Sequence, residues 1–427
     1  MFKVVGYYSY WRSFDIENLN WNALTHIIYS FAIPDLEKKD GTLLPPESPD
    51  FLRRTVETAH RNNVKILLSL GGWSYNNKPL YPVFSEICRT KDGINSLVNS
   101  TSEMIDKYGF DGVDIDWERP EKNEYYNFNV LAETFYNSLK NKGKLLTVAT
   151  PSHGQSTEFV SNQNIHLFDW INIMAYDCQK KGYPSSSFTY GKQCLDYWLN
   201  SRQTSRDKLV LGVPFFGKDI YDSKKDIVYR DLLSENPDAL NFDSLGSIAY
   251  NGAPTLSRKL ELTYEKAGGI MIWELNFDLP GSSRSLLNFM DKELCFIKLK
   301  KQIENKYEEL KLKYSWLGKQ LQNILRTKSG NGCYCIYEAD RAGGGISIHT
   351  SEKTCACYTL GSIREKWDNL GSENSELGFP VTDEKDLYDS NGKYIGRYSN
   401  FQNGSIIYIE KTNETAVRKS PIINDKM

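Results

Sequence analysis

Residues 108–118 read Tyr-Gly-Phe-Asp-Gly-Val-Asp-Ile-Asp-Trp-Glu, with ionisable groups at every second position from Asp114 to Glu118. In an extended strand successive side chains point to opposite faces. Asp114, Asp116 and Glu118 therefore share one face, while Val113, Ile115 and Trp117 share the other. If the apolar face packs on covering helices, the acids point into the sheet's interior, where like charges repel and lose hydration. Both effects raise carboxyl pKa values, and a carboxyl group still protonated near neutral pH is equipped for general-acid chemistry. Glu118, outermost at the strand's C-terminal end, is the natural proton donor. Two other readings of the same pattern are a solvated strand on an open edge and a carboxylate site for Mg2+ or Ca2+.

The elements that must position these acids recur from Met1 to about Lys292. Eight β-rich apolar runs alternate with helix-capable stretches: VVGYYSYW, THIIYSFAI, VKILLSLGG, FDGVDIDWE, KLLTVATPS, WINIMAYD, KLVLGVPFF and GGIMIWEL. This alternation predicts an α/β fold, a closed (β/α)8 TIM barrel, which accommodates about 200 to more than 400 residues. An open doubly wound sheet is the second choice, and the first strand is not followed by a GxGxxG turn. Active sites of such barrels lie at the C-terminal ends of the strands. That gives weight to the polar ends Ser69–Gly72, Asp114–Glu118, Ala175–Asp177 and Trp273–Leu275.

Past Leu294 the texture changes to the Lys/Glu-rich stretch KLKKQIENKYEELKLKYSWLGKQ, which reads as a connecting helix or the start of another domain. The expected boundary is near 295. It separates a catalytic barrel (1–295) from a smaller, β-containing C-terminal repeat domain (296–427). Within the latter, Ile303 and Ile363, Tyr307 and Trp367, Leu317-Gly318 and Leu377-Gly378, and Gly344 and Gly404 recur at a spacing of 60, predicting two copies, 303–362 and 363–422. The glycine run Gly343 to Gly345 reads as a turn.

Composition narrows the function classes. The 52 basic and 54 acidic residues leave a net charge of -2, without a like-charged tail, which argues against nucleic acid or an anionic membrane as partner. A mean hydropathy of -0.52 and no run of about 18 apolar residues predict a soluble chain without a membrane span. The opening MFKVVGYYSYW runs into strand-like sequence without the charged and apolar regions of a secretory signal, so the chain is either not exported by that route or a mature form. There is no HExxH, GxSxG or GxxxxGK[ST] motif, and neither a metal nor a cofactor is implied.

The segment DGVDIDWE resembles the DxxDxDxE signature of the family 18 glycoside hydrolases, the chitinases and their relatives, with Asp111, Asp114, Asp116 and Glu118 at the signature positions. SLGG (Ser69 to Gly72) is similar to the family's SxGG on the third strand, and MAYD (Met174 to Asp177) to its MxYD on the sixth. Trp273 matches the tryptophan on the eighth. The resemblance spans about residues 3 to 290. It implies substrate-assisted retaining hydrolysis of β-1,4 linkages between N-acetylglucosamine units, as in chitin. Glu118 would protonate the glycosidic oxygen and Asp116 would orient the acetamido N–H. Asp114 would share a proton with Asp116, Ser69 and Tyr7 would support that pair with Asp111 as a more distant partner, and Tyr176 would donate to the acetamido oxygen. Trp273 would floor the sugar site with Met174 and Asp177 beside it, and Trp117, Trp73 and Phe31 are weaker groove candidates. The stretch from Lys218 to Ala267 looks short for the large insertion some members carry before the eighth strand, which predicts an open groove and endo-type cleavage. Alternatives are an endo-β-N-acetylglucosaminidase acting on N-glycans and a non-catalytic chitin-binding lectin. Lectin members typically lack the last acid, which Glu118 supplies here.

Residues 363–422, with SELGFPVTDE and GRYSNFQNGSIIY, resemble the LGFP repeat of proteins associated with bacterial cell walls. That implies a surface- or glycan-attachment module, with cell-wall glycan as partner, or else a structural appendage. Together with the implied substrate it suggests a secreted or cell-surface protein. Cys333, Cys335, Cys355 and Cys357, in CxC pairs, fit two cross-strand disulfides or a zinc site. Cys178 and Cys194 could close the loop after the sixth strand.

Overall fold

The computed structural model describes all residues except 13, 15, 179, 223, 341–344 and 424–427. Gly343 and Gly344, and with them the glycine-run turn and one pair of the 60-residue spacing, lie outside the described residues. Two compact units result, Met1–Asp291 and Lys292–Met427.

In the first unit, parallel strands β1 (Lys3–Ser9), β2 (His26–Ala32), β3 (Lys65–Gly72), β4 (Gly112–Trp117), β5 (Leu145–Pro151), β6 (Trp170–Met174), β7 (Leu209–Pro214) and β8 (Gly269–Trp273) close into a barrel in sequence order, with β8 pairing β1. Each coincides with one of the eight apolar runs. Closure leaves the barrel strands without a free edge, so the solvated-edge reading of the acidic strand is excluded.

Local chemistry fixes how β4 enters. Helix α3 (Lys91–Tyr108) starts where the Thr90 side chain accepts the Gly93 N–H and stops at Gly109, left-handed with φ 81°. Asp111 then accepts the Ile66 N–H at 2.8 Å, setting β4 beside β3. In that register Ser69, Asp114 and Thr147 stand side by side on β3, β4 and β5. Gly71, with φ 123°, lies beside Asp116, whose carbonyl oxygen would be 2.3 Å from any Cβ placed there. A side chain at 71 would therefore push β3 away from the acidic strand.

Between β7 and β8 the chain forms a four-stranded antiparallel sheet of short segments, Phe216–Asp219, Asp226–Val228, Ser244–Leu245 and Ile248–Ala249. The sequence alone does not reveal these strands, because segments of two to four residues are too short to display a period.

The second unit contains helix α8 (Leu286–Lys313) from Lys292 onward. An antiparallel sheet follows, made of β9 (Leu317–Gln320), β10 (Leu325–Arg326), β11 (Gly332–Ala339), β12 (Ile346–Ser351) and β13 (Thr354–Leu360). Helix α9 (Gly361–Leu370) comes next, with a second antiparallel sheet of β14 (Lys385–Tyr388), β15 (Tyr394–Phe401), β16 (Gly404–Ile409) and β17 (Glu414–Arg418). Ile303 and Leu317 are buried in the first core, and Ile363 and Leu377 in the second. Tyr307 stacks on Tyr337 at 4.3 Å, while Trp367 packs on Phe401 at 5.5 Å.

The expected disulfides are absent: Cys178, Cys194, Cys333, Cys335, Cys355 and Cys357 are all unbridged. The CxC pairs lie on β11 and β13, each of which pairs with β12 rather than with the other. Two strand spacings, about 9.5 Å, exceed the roughly 7 Å over which a bridge closes. Cys194 is buried with its Sγ 3.9 Å from His153 Nδ1. Burial pushes the thiols of Cys333 and Cys357 up to about 12, so they remain protonated and poorly nucleophilic. Alkylation of unfolded, unreduced protein is expected to label all six cysteines in a peptide map. A cysteine that reacts only after reductant is added would contradict this arrangement.

Candidate active site

Asp114 sits at the centre of the barrel, fully buried, and takes hydrogen bonds from four strands. Its Oδ2 accepts from Tyr7 at 2.8 Å and Ser69 at 2.9 Å, and its Oδ1 from Thr147 at 2.6 Å and Asn172 at 3.1 Å. Burial drives its carboxyl pKa up, and these donors, which favour the ionised form, pull it back.

One step along the strand, Asp116 is buried without comparable support. Its Oδ1 has no hydrogen-bond partner among the described residues. Burial, then the charge of Glu118, then that of Asp114 hold its pKa well above the usual carboxylate range. An unpaired buried carboxylate is costly, whereas a protonated carboxyl can offer a donor to whatever enters the site. Glu118, at the end of the row, has its pKa raised to about 7 by burial and by the charge of Asp177, against the opposing pull of Arg119. Support thus decreases outward, from a saturated anchor to a proton donor at the mouth.

The remaining walls come from other strand ends. Tyr176 is buried after β6, and its hydroxyl pKa is raised well above its ordinary value by burial and the charges of Asp177, Glu118 and Asp116, which keeps it a donor. Asp177 takes φ 59° and pairs with Lys218 of the inserted sheet at 2.8 Å. Trp273 closes β8, with ring centroids 5.4 Å from Tyr7 and 6.2 Å from Phe31, the latter stacked at 25°. Phe31 in turn stacks on Trp11 at 5.7 Å. Trp73, 66 % exposed, lines a cavity of about 470 Å³ together with Glu118, Arg119 and Tyr125. Met174 is the partly buried last residue of β6.

Two expected members lie elsewhere. Trp117 is buried on the outer face of β4, between Phe84 of helix α2 (Tyr81–Ile87) at 5.5 Å and Phe128 of helix α4 (Tyr125–Lys140) at 6.2 Å. Strand parity, which turns the acids inward, turns this ring outward. Asp111 precedes β4 at the opposite end of the strand, where it meets His60 at 2.9 Å and the Ile66 N–H, so it aligns strands and does not support the acids.

The sequence reading also missed residues. Thr147, one of two threonines in the run LLTVATP, and Asn172, inside WINIM, are polar side chains that interrupt apolar strands, and that interruption was the available signal. Glu274, buried directly after Trp273, pairs with Arg12 at 2.6 Å and accepts from the Ser9 hydroxyl. Lys259, fully buried, donates to Ser186 and Asn251, and the Ser186 hydroxyl donates to the Ala175 carbonyl beside Tyr176. No spacing in the sequence marks either network. Among the described residues, no group of three or more His, Cys, Asp or Glu is placed to hold a metal ion.

The model of the glycosyl hydrolases family 18 matches residues 3–278. The chain belongs to this family. The LGFP repeat model matches residues 377–425. Among curated relatives, a probable chitinase 10 of Drosophila melanogaster is 25 % identical over 51 % of this chain and 11 % of its own length. The class V chitinase CHIT5a of Medicago truncatula is 30 % identical over 49 % of this chain and 61 % of its own. The chain therefore spans less than two thirds of these relatives' length. Two solved structures cover 69 % of this chain: the chitinase ChiB of Flavobacterium johnsoniae (29 % identity, 94 % of that chain, TM-score 0.62) and a chitinase of Bacteroides thetaiotaomicron (28 %, 96 %, TM-score 0.60).

Two substitutions test the assignment of anchor and wall. Thr147→Val deletes one donor to Asp114 and is expected to lower unfolding free energy in denaturant titration by about 1.5–3 kcal/mol, the range for hydrogen bonds to charged groups. Trp117→Ala should cost about 3–5 kcal/mol in the same assay, as for a core aromatic. A near-neutral Trp117→Ala would return that ring to the groove.

Proposed function

We propose that the barrel is an endo-acting, retaining chitinase-like hydrolase that cleaves β-1,4 linkages between N-acetylglucosamine units with the substrate's own acetamido group as nucleophile. The observation that carries this reading is the graded row Asp114, Asp116, Glu118, ending in an acid with pKa about 7 beside exposed aromatic rings.

In the proposed first step Glu118 gives its proton to the glycosidic oxygen as the C1–O bond breaks, and the acetamido carbonyl oxygen attacks C1 from the opposite face. The product is an oxazolinium ion. Asp116, as its proton passes toward Asp114, accepts the acetamido N–H and balances the positive charge that develops there. The Tyr176 hydroxyl donates to the acetamido oxygen and orients it. In the second step the Glu118 carboxylate takes a proton from water, whose oxygen attacks C1 and reopens the ring, so configuration is retained. Trp273 offers its ring face to the apolar C–H face of the distorted sugar, with Phe31 and Trp11 continuing the aromatic row. The four-stranded insertion is small, which supports an open groove and internal cleavage.

The C-terminal unit, with its LGFP repeat, is proposed to be an attachment module for surface glycan, built as two helix-plus-sheet copies. A secreted or cell-surface location follows from polymeric substrate and attachment together.

Glu118→Gln is expected to lower turnover of a fluorogenic N-acetylglucosamine oligomer by about 10²–10⁴-fold while leaving oligomer binding intact. Wild-type binding without turnover would instead make the protein a lectin. The active form carries the Glu118 proton, so kcat/KM should fall as pH rises through about 7. Asp177→Asn removes a charge that raises this pKa and should move the fall to lower pH. A profile flat from pH 5 to 9 would remove Glu118 from the role.

A further inference from the structure

Away from the barrel, the C-terminal unit holds a cavity of about 660 Å³ formed by the start of α9, the end of β13 and the face of β15 and β16. That volume falls in the range of small-ligand sites, about 300–1,000 Å³. Its wall includes Glu384, whose side chain is 6 % exposed. Glu384 Oε1 accepts from Arg397 Nη1 at 3.2 Å. Burial of this carboxylate is a cost to the fold that Arg397 and the Leu360 N–H offset, which holds the acid together with the 38 % exposed guanidinium on the cavity wall.

The charges around it restrict that ligand. Glu365, Asp368, Glu384 and Glu410 line the cavity together with Arg364 and Arg397. An anion would meet four acids, and a cation would meet two guanidinium groups. Uncharged hydroxyl groups suit both, since each can donate to a carboxylate and accept from an arginine. Tyr394, 36 % exposed, and Tyr408 add aromatic faces of the kind that pack on the C–H side of a sugar.

We infer that this cavity is a binding site for an uncharged, hydroxyl-rich glycan segment, with Glu384 and Arg397 as its hydrogen-bonding pair and Tyr394 at its rim. The inference rests on the attachment reading of the C-terminal unit and gives it a location. An acetamido sugar chain and an unacetylated neutral glycan offer the same hydroxyl chemistry, so both are needed as probes.

The test is calorimetric titration of the full chain carrying Glu118→Gln, which leaves the oligosaccharide uncut, with N-acetylglucosamine hexamer and with cellohexaose. The parent should bind at least one probe at a site additional to the barrel. Adding Glu384→Gln or Tyr394→Ala should weaken that site at least tenfold and leave barrel binding unchanged. In the wild-type background the same two substitutions should leave turnover of a soluble fluorogenic substrate unchanged. Loss of the additional site for the hexamer alone assigns an acetamido glycan, and for cellohexaose alone an unacetylated one. An additional site that persists in both variants overturns the location but keeps the attachment reading. A parent that binds neither probe outside the barrel overturns both.

Discussion

Carboxylates inside a closed barrel have nowhere to go. Every second residue of β4 must point at the axis, and barrel closure removes the edge through which water would reach it. The fold meets this constraint at one end by surrounding Asp114 with donors from β1, β3, β5 and β6. Toward the mouth it leaves the constraint unmet. Asp116 and Glu118 receive little such help, and their affinity for protons rises accordingly. The reactivity proposed for the site is thus the remainder of a folding problem solved at one position of three, a pattern consistent with the tension between local stability and function at active sites.

The neighbouring glycines belong to the same constraint. Gly71 lets β3 approach the backbone of Asp116, and Gly72, with φ 91°, lets the Phe31 ring lie where a Cβ would be 2.7 Å from it. The row of acids and the row of aromatic rings can therefore occupy the same end of the barrel. Lys218, reaching Asp177 from the inserted sheet, extends the site's electrostatics to an element outside the eight strands.

Much of this was legible in the sequence because it rests on periodicity. Eight apolar runs gave eight strands, and parity along residues 113–118 separated inward acids from outward apolar residues. The same parity placed Trp117 outside, although its type had suggested a sugar-stacking surface; face outweighs residue type. Asp111 carries the signature's spacing, but about seven residues at roughly 3.3 Å each put it near the other end of the strand from Glu118. The cysteine pairs do alternate onto single strand faces, but pairing partners depend on sheet order, and β12 lies between them. Arg12 with Glu274, and Lys259 with Ser186, are joined by the closure of the fold across long stretches of chain, and no local pattern announces them.

The central claim is that burial and crowding keep Glu118 protonated near neutrality before any substrate arrives. Carboxyl-carbon NMR of the resting protein, with Glu118 assigned through its Gln variant, measures this directly. The account predicts a Glu118 resonance that titrates near pH 7, coupled to that of Asp116. A Glu118 carboxyl that titrates in the ordinary range of about 4 to 4.5, independently of Asp116, would contradict it.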